Sequence, residues 1–153
     1  MRLEPLTSPV DTDWLSLRVE LWPDCPREQH EEEMARFLQE PDRYAQFIVR
    51  SQDGHGLGLA EASIRTDYVN GTDSSPVGYL EGLFVKTEAR GQGVASLLVQ
   101  AVAEWAAARG CVELASDTQP DNFVSQAVHQ QLGFVETERA VFYSKSLKPK
   151  KVA

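Results

Sequence analysis

Apolar side chains recur along this chain with two different spacings, one typical of helices and one typical of strands. Apolar residues three and four apart follow Asp11 or Thr12, Glu28 and Gly93, and each run predicts an amphipathic helix. Shorter apolar or alternating runs, separated by turns such as Asn70-Gly71, predict strands. The predicted order is a strand over 3–6, helices over 12–22 and 28–40, strands over 44–50, 57–68 and 77–85, a helix over 94–109, a strand over 111–116, a helix over 122–132 and strand character over 134–147.

This order predicts an α/β (α+β) fold with a mixed central sheet flanked by helices on both faces. Strand 77–85, helix 94–109 and strand 111–117 form a parallel crossover, which is expected to be right-handed. A chain of 153 residues has the usual size of one domain. We therefore predict a single domain over 1–147 and a frayed basic tail over 148–153.

Charge and composition narrow the possible partners. The chain carries a formal net charge of −8, which repels nucleic acid and anionic membrane surfaces and attracts cations. No apolar run approaches the length of a membrane span, and the N-terminal residues lack the apolar region of a signal peptide. The 2 cysteines and 3 histidines have no metal-ligand spacing. These features predict a cytoplasmic protein that binds no metal, nucleic acid or membrane.

The sequence Arg90-Gly91-Gln92-Gly93-Val94-Ala95 lies between a predicted strand and a strongly periodic predicted helix. Glycines let the backbone approach a bulky phosphate group, and a helix N-terminus supplies free N–H groups and partial positive charge. A nucleoside-triphosphate loop needs Gly-Lys-Ser/Thr, and a dinucleotide loop needs a third glycine where Ser96 stands. The loop therefore favours another phosphate ligand, although a plain helix-starting turn also fits the two glycines.

The loop resembles the pyrophosphate-binding motif of the GNAT family of N-acetyltransferases, which Arg90, Gly93 and Ala95 match. A second stretch, from Asp121-Asn122 to Leu132-Gly133-Phe134, resembles the next motif of that family at its usual separation. The resemblance covers nearly the whole chain. It implies the GNAT fold, a CoA-binding strand–loop–helix and acetyl-CoA as cosubstrate.

The same resemblance implies how the cosubstrate binds. Strand 77–85 would carry a bulge near Glu81-Gly82 and splay from the next strand, and the pantetheine arm would fill the gap. Asn122 would cap its helix and contact that arm. The residues implied to hold acetyl-CoA are Leu83, Phe84, Val85, Arg90, Gly91, Gln92, Gly93, Val94, Ala95 and Asn122.

Two acidic residues lie near the ends of predicted neighbouring strands. Glu81 lies at the expected splay point, and Asp117 follows strand 111–116. Ligands of open α/β sheets bind beyond the carboxyl ends of the strands, so both acids are expected at one cavity unless they are ordinary surface charges. Carboxylates attract and orient cationic amines. The pair therefore indicates a cationic amine as the acetyl acceptor.

Longer stretches resemble a narrower group, the aminoglycoside 6′-N-acetyltransferases. They are Leu21-Trp22-Pro23, Glu61 to Arg65, Tyr68 to Thr72, Ser75-Pro76-Val77, Leu80-Glu81-Gly82 and Ala115-Ser116-Asp117. This resemblance implies a polycationic aminoglycoside substrate and a homodimer in which residues 140–147 pair across subunits. The side chains that it implies in the substrate cleft are Trp22, Tyr68, Asp73, Glu81, Asp117 and Glu138. Trp22 fits a core position equally well, and Tyr68 fits a cap on the sheet.

The candidate catalytic residues are Glu81, Asp117 and His129. Glu81 would accept the amine proton, directly or through water. In many members of the family a tyrosine gives a proton to the leaving thiolate, and His129 stands at the matching position; Tyr143 is a second candidate. A lone helical histidine is also consistent with a structural role. Two alternatives stay open: transfer to a polyamine or peptide amine, and a CoA-binding domain without activity.

Overall fold

The computed structural model describes residues 1–151, which fold around a 5-stranded sheet in the order β1-β2-β3-β4-β5. The strands are β1 (Arg2–Pro5), β2 (Tyr44–Arg50), β3 (Gly56–Arg65), β4 (Val77–Val85) and β5 (Leu114–Ala115). The α-helices are α1 (Thr12–Leu21), α2 (Arg27–Gln39), α3 (Val94–Ala107) and α4 (Phe123–Gln131). Strands β1 to β4 pair antiparallel, and β4 pairs parallel with β5. Within the described part of the chain, no helix has the length and apolar character of a membrane span.

Helices cover both faces of the sheet, and each face has its own core. On one face, α1 and α2 bury Trp14, Leu17 and Met34 against Ile48 and Leu59. On the other face, α3 packs against β2, β3 and β4 through a second cluster, whose members include Val49, Ala60, Leu80, Val94, Leu98 and Val102. Burying a side chain of this size contributes about 1.5–3 kcal/mol, so these two apolar faces fix the sheet between its helices. The predicted mixed sheet with flanking helices is confirmed.

Strand β4 carries a bulge at the predicted position. Glu61 of β3 lies opposite Gly82, while its neighbour Ala62 lies opposite Leu80, so Glu81 is an extra residue on β4. A bulge leaves its extra residue unpaired and redirects the side chain. Gly82 allows close packing here, because a Cβ at this position would lie 2.6 Å from Cη2 of Trp22. The bulge therefore brings Glu81 and Trp22 to the same region.

Strands β4 and β5 separate almost as soon as they pair. The pairing consists of Gly78 with Leu114 and Tyr79 with Ala115. Beyond Tyr79, strand β4 continues to Val85 while β5 has ended. The predicted splay is confirmed, and it leaves the β4 backbone open on the side that faces away from β3.

Three strand predictions need correction. Strand β3 ends at Arg65 rather than at residue 68, because the following loop turns Val69 inward against Val77 and Tyr79. Strand β5 has 2 residues instead of six, and both are half-buried.

The third correction concerns the C-terminal segment. Residues 134–147 were predicted to have strand character, yet they have no regular secondary structure. A strand needs a hydrogen-bonded neighbour, and this segment has none within the described chain. Its apolar side chains point into solvent: Val141, Phe142, Tyr143 and Leu147 are 77–92% exposed. Of the predicted tail, residues 148–151 are exposed, and 152–153 lie outside the described residues.

Candidate active site

A cleft of about 740 Å³ opens between the α1–α2 connection, helix α2 and strands β2 to β4. Four acidic side chains line it, Asp24, Glu33, Glu61 and Glu81, and two of them, Glu33 and Glu61, pair with Arg18. Arg18 and Arg36 are the arginines on its wall, and Trp22, Phe37 and Tyr44 contribute aromatic rings. The cleft therefore combines carboxylates with flat apolar surfaces, which suits a ligand with both ammonium groups and sugar rings.

Glu81 is held at the edge of this cleft by two neighbouring side chains of β3. The Ser63 hydroxyl donates to Oε1 over 2.6 Å. The Arg65 guanidinium donates from Nη2 to both carboxylate oxygens, at 2.8 Å and 3.0 Å. The Glu81 side chain is 35% exposed, so a ligand can still reach it. The bulge and these two donors fix the carboxylate in one orientation.

Asp117 accepts a short hydrogen bond from the Tyr79 hydroxyl. Burial, together with the Asp117 carboxylate, raises the pKa of Tyr79, so the phenol keeps its proton and remains the donor. The Arg65 guanidinium lies 3.5 Å from the centroid of the Tyr79 ring. One chain of contacts thus connects Asp117, Tyr79, Arg65 and Glu81, and it links the two acids that the sequence singled out.

Trp22 ends helix α1 and packs on a buried polar cluster. The Arg18 guanidinium, only 1% exposed, lies 4.9 Å from the Trp22 ring centroid. Arg18 pairs with Glu61 and Glu33, and its Nε donates to His30 over 3.1 Å. Trp22 therefore packs against protein and also borders the cleft.

Other predicted substrate-site residues lie elsewhere in the single chain. Tyr68 is 79% exposed, and Asp73 and Glu138 are exposed on loops. The Glu138 Cβ lies 3.9 Å from the Cβ position of Gly71, which brings Glu138 beside the loop that carries Tyr68 and Asp73. Of the predicted substrate-site residues, the described cleft is lined by Trp22 and Glu81 and not by Tyr68, Asp73, Asp117 or Glu138.

His129 connects helix α4 to the end of β5. Its Nε2 lies 2.7 Å from the Ser116 hydroxyl, and its Nδ1 lies 2.7 Å from the Ser125 carbonyl oxygen. Its ring also contacts Phe134 edge-on, with centroids 5.2 Å apart. These contacts fix the orientation of the His129 ring at the end of β5. Tyr143, the other candidate proton donor for the thiolate, is 92% exposed.

The glycine loop has a backbone conformation that glycine adopts more readily than other residues. Gly91 and Gly93 have φ angles of +76° and +84°, which residues with a side chain rarely adopt, and a Cβ at either position would meet no atom within 4 Å beyond the adjacent residues. The buried Val94 side chain anchors the first turn of α3 in the core, so the free N–H groups of that turn face outward at a fixed place. Arg90 donates from Nε to the Val85 carbonyl over 3.2 Å, which ties the loop to β4. These residues fit a pyrophosphate group.

The sequence model of a protein family, described as the acetyltransferase (GNAT) family, matches residues 14–134. The chain belongs to this GNAT acetyltransferase family. The matched range includes the bulge at Glu81, the glycine loop and helix α4, whereas Glu138 and Tyr143 lie beyond it.

Proteins of known activity resemble this GNAT acetyltransferase along most of its length. It is 52% identical over 132 residues to an aminoglycoside N(6′)-acetyltransferase type 1 of Salmonella typhimurium, covering 86% of this chain and 90% of the relative. A solved structure of AAC(6′)-Iy with a bisubstrate analogue, CoA-S-monomethyl-acetylneamine, is 48% identical and superposes with a TM-score of 0.89, covering 95% and 97% of the two chains. AAC(6′)-Ih of Acinetobacter baumannii is 42% identical and has a TM-score of 0.90, covering 96% and 99%.

Sequence reasoning missed the partners of the two acids. Tyr79 and Arg65 were not recognised as site residues, nor was Arg18 beneath Trp22. A signal was present in β3, where Glu61, Ser63 and Arg65 alternate with Ala60, Ala62 and Ile64. Polar side chains at every second position mark one polar face of a strand. On a strand buried in the middle of a sheet, such a face predicts a polar site.

Proposed function

We propose that this GNAT acetyltransferase transfers the acetyl group of acetyl-CoA to the 6′ amine of aminoglycoside antibiotics and so confers resistance to them. The observation that carries the proposal is the position of Glu81 on the β4 bulge, at the edge of an acid-lined cleft and beside the splay from β5. The relatives named above, at 42–52% identity over most of the chain, support the same activity.

Acetyl-CoA supplies the activated acetyl group as a thioester. We assign its pyrophosphate to the backbone N–H groups of 91–95, with Arg90 and Gln92 at the loop edge. Asn122 caps α4 through its Oδ1, which accepts from the Ser125 N–H over 3.1 Å, so its amide group is held at the end of the splay. The open edge of β4 at Leu83, Phe84 and Val85 provides backbone groups for the pantetheine arm and for the developing oxyanion. Acetyl-CoA is a cytoplasmic metabolite, which supports the cytoplasm as the compartment.

The acceptor binds through its ammonium groups and its ring faces. Glu81 takes the proton of the 6′ amine, directly or through water, while Asp117 binds another ammonium group. Trp22 offers the part of its ring that borders the cleft to an apolar sugar face, while Arg18 and Gly82 pack against the ring and hold it in place. Tyr68, Asp73 and Glu138 form a second group of polar side chains on neighbouring loops, where they extend the binding surface.

The proton for the leaving thiolate has two candidate donors. His129 is the better supported of them, because its Nε2 is bonded to Ser116, which directly precedes Asp117 at the splay. In this path the Ser116 hydroxyl gives its proton to the thiolate and takes one from Nε2 of the imidazolium form of His129, while the proton on Nδ1 stays bonded to the Ser125 carbonyl. Tyr143 is fully exposed in the single chain and has no such connection to the site.

A direct assay tests the proposed function. Release of CoA thiol is measured with acetyl-CoA and an aminoglycoside that has a 6′ amine, with a matched aminoglycoside that has a 6′ hydroxyl, and with spermidine and a lysine peptide. We expect turnover with the 6′-amino compound alone, and a product acetylated at that nitrogen. Turnover with the polyamine or peptide but not with the antibiotic would overturn the substrate assignment.

We propose in addition that the protein is a homodimer in which residues 140–147 of each copy pair with the sheet of the other. The segment has strand-forming residues and exposed apolar side chains, and β5 is too short to protect the edge of the sheet. By light scattering, the wild type is expected to have twice the chain mass. The double change Val141→Asp and Phe142→Asp should give a monomer, whereas Lys150→Asp should stay dimeric. A monomeric wild type at micromolar concentration would contradict the proposal.

A further inference from the structure

Arg65 places a positive charge directly beside the carboxylate that is proposed to take the acceptor proton. Its Nη2 donates to both oxygens of Glu81, and its Nε lies 3.2 Å from Oε1. The guanidinium stacks on the ring of Tyr79 at 3.5 Å, so it is held from two sides. The proposed reaction has so far given this cation no role.

The chemistry of the acceptor explains why a cation is useful here. An amine must be neutral before it attacks a thioester, and a nearby carboxylate stabilises its protonated form. A carboxylate alone would therefore bind the ammonium well but hold it in the unreactive state. A positive charge at the same place opposes this effect, because it disfavours a second cation nearby.

The contacts of Glu81 leave room for both the arginine and the amine. Each oxygen of a carboxylate has two lone pairs that can accept hydrogen bonds. Oε1 accepts from Ser63 and from two nitrogens of Arg65, while Oε2 accepts from Nη2 of Arg65 alone. Oε2 thus keeps a lone pair that can receive an amine proton, on a side chain that is 35% exposed.

We propose that Arg65 is a charge-balancing residue of the acceptor site, whose guanidinium offsets the Glu81 carboxylate so that the acceptor amine is bound without being locked in its protonated form. This rests on the proposed acetyl transfer to an amine at Glu81. Arg65 acts through Glu81 and does not touch the reacting atoms in this account, so it is a positioning residue.

Most other charged groups near this end of the cleft are already paired. Arg18 pairs with Glu61 and Glu33, and Tyr79 with Asp117. The other charged or titratable side chains on the cleft lining are Asp24, Cys25, Arg36 and Tyr44, and those on neighbouring segments include Glu20, Asp67, Tyr68, Asp73, Glu113, His129 and Glu138. Of these, none is recorded in a hydrogen bond or ion pair with Glu81 among residues 1–151. Arg65 is therefore the cation that offsets the negative charge of the Glu81 carboxylate.

The test compares the wild type with Arg65→Met and Arg65→Lys under single-turnover conditions, so that product release does not mask the chemical step. In Arg65→Met, we expect the acidic limb of the rate–pH profile to move to higher pH by about one unit, and the dissociation constant of the aminoglycoside to fall by about tenfold. In Arg65→Lys, the acidic limb should lie close to its wild-type pH, because lysine restores the positive charge. A small difference should remain, because lysine cannot make the contact to both carboxylate oxygens.

Arg43→Met is the matched control. Its guanidinium also lies over a tyrosine, at 5.1 Å from the Tyr44 ring, and pairs with a carboxylate, Glu40, at 3.7 Å. This variant should keep the wild-type rate–pH profile.

Arg65 ends β3 with a side chain that is 42% exposed, so its replacement is expected to leave the fold intact. Arg65→Gln serves as a second neutral variant.

The outcomes separate this inference from the proposed function. A wild type that acetylates aminoglycosides, together with an Arg65→Met protein whose acidic limb is unchanged or whose aminoglycoside affinity drops, overturns the inference alone. A wild type that acetylates no aminoglycoside overturns the proposed function and this inference with it.

Discussion

Replacing Glu81 by Gln is expected to lower kcat for aminoglycoside acetylation by about 10²- to 10⁴-fold, the range that a positioned general base contributes. The glutamine keeps the shape of the side chain and can still accept the 2.6 Å hydrogen bond from Ser63. It cannot accept a proton from the amine. The loss should therefore appear in kcat, while the affinity for CoA, measured by calorimetry, stays at the wild-type value because the glycine loop is unchanged.

Glu31→Gln is a suitable control for this experiment, because it makes the same chemical change on an exposed surface pair with Arg27. It should have wild-type kinetics. If Glu81→Gln retained kcat within about twofold, Glu81 would not be the base, and a water chain ending at another group would have to take that role.

The elements that carry the site were largely predictable because their signals are local. Helix α1 begins at a capping residue, Asp11, whose carboxylate accepts from the N–H groups of Asp13 and Trp14, and it ends before Pro23. Helix α3 follows a glycine that adopts a left-handed conformation. Such features depend on residues that are close together in the sequence, so the sequence alone predicts them.

The contacts within the site were not predictable in the same way. Tyr79 and Asp117 are 38 residues apart, and their bond depends on how β5 follows the crossover helix. The pairing of Arg65 with Glu81 depends on the bulge, which shifts one strand by a residue relative to the other. Without an exact register, the sequence allowed either acid to be an ordinary surface charge.

The strand prediction for the C-terminal segment was wrong for a different reason. Its β-branched and aromatic residues do predict a strand, but a strand exists only when a second strand pairs with it. The chain described by itself lacks that neighbour next to residues 140–147. The sequence pattern is consistent with the proposed dimer, in which the second copy supplies the neighbour.

Replacing Arg18 by Met is expected to reduce the free energy of unfolding by about 3–5 kcal/mol, which is a large part of the stability of a domain this size. Arg18 is the partner of the buried carboxylate of Glu61, whose other oxygen accepts from the Trp14 indole over 2.7 Å. Methionine fills similar volume but leaves that carboxylate buried without a counter-charge. The change can be measured by urea unfolding followed through tryptophan fluorescence.

The dependence of this loss on pH provides a second check. Burial raises the pKa of Glu61, while Arg18 opposes that rise. Without Arg18, the folded protein takes up a proton at Glu61 more readily than the unfolded chain does. A carboxyl whose pKa is raised on folding favours the folded state at low pH and loses that contribution as pH rises. The penalty of Arg18→Met should therefore be smaller near pH ~5 than near pH ~8.

The double variant Arg18→Met with Glu61→Gln distinguishes charge from packing. It removes both buried charges and keeps an acceptor for Trp14, so most of the lost stability should return. An exposed pair gives the contrast: Arg27→Met breaks the surface bridge to Glu31 and should change stability by less than about 0.5 kcal/mol. If the double variant were as unstable as Arg18→Met alone, the contribution of Arg18 would come from its packing between Trp22 and Phe37 and not from its pairing with Glu61.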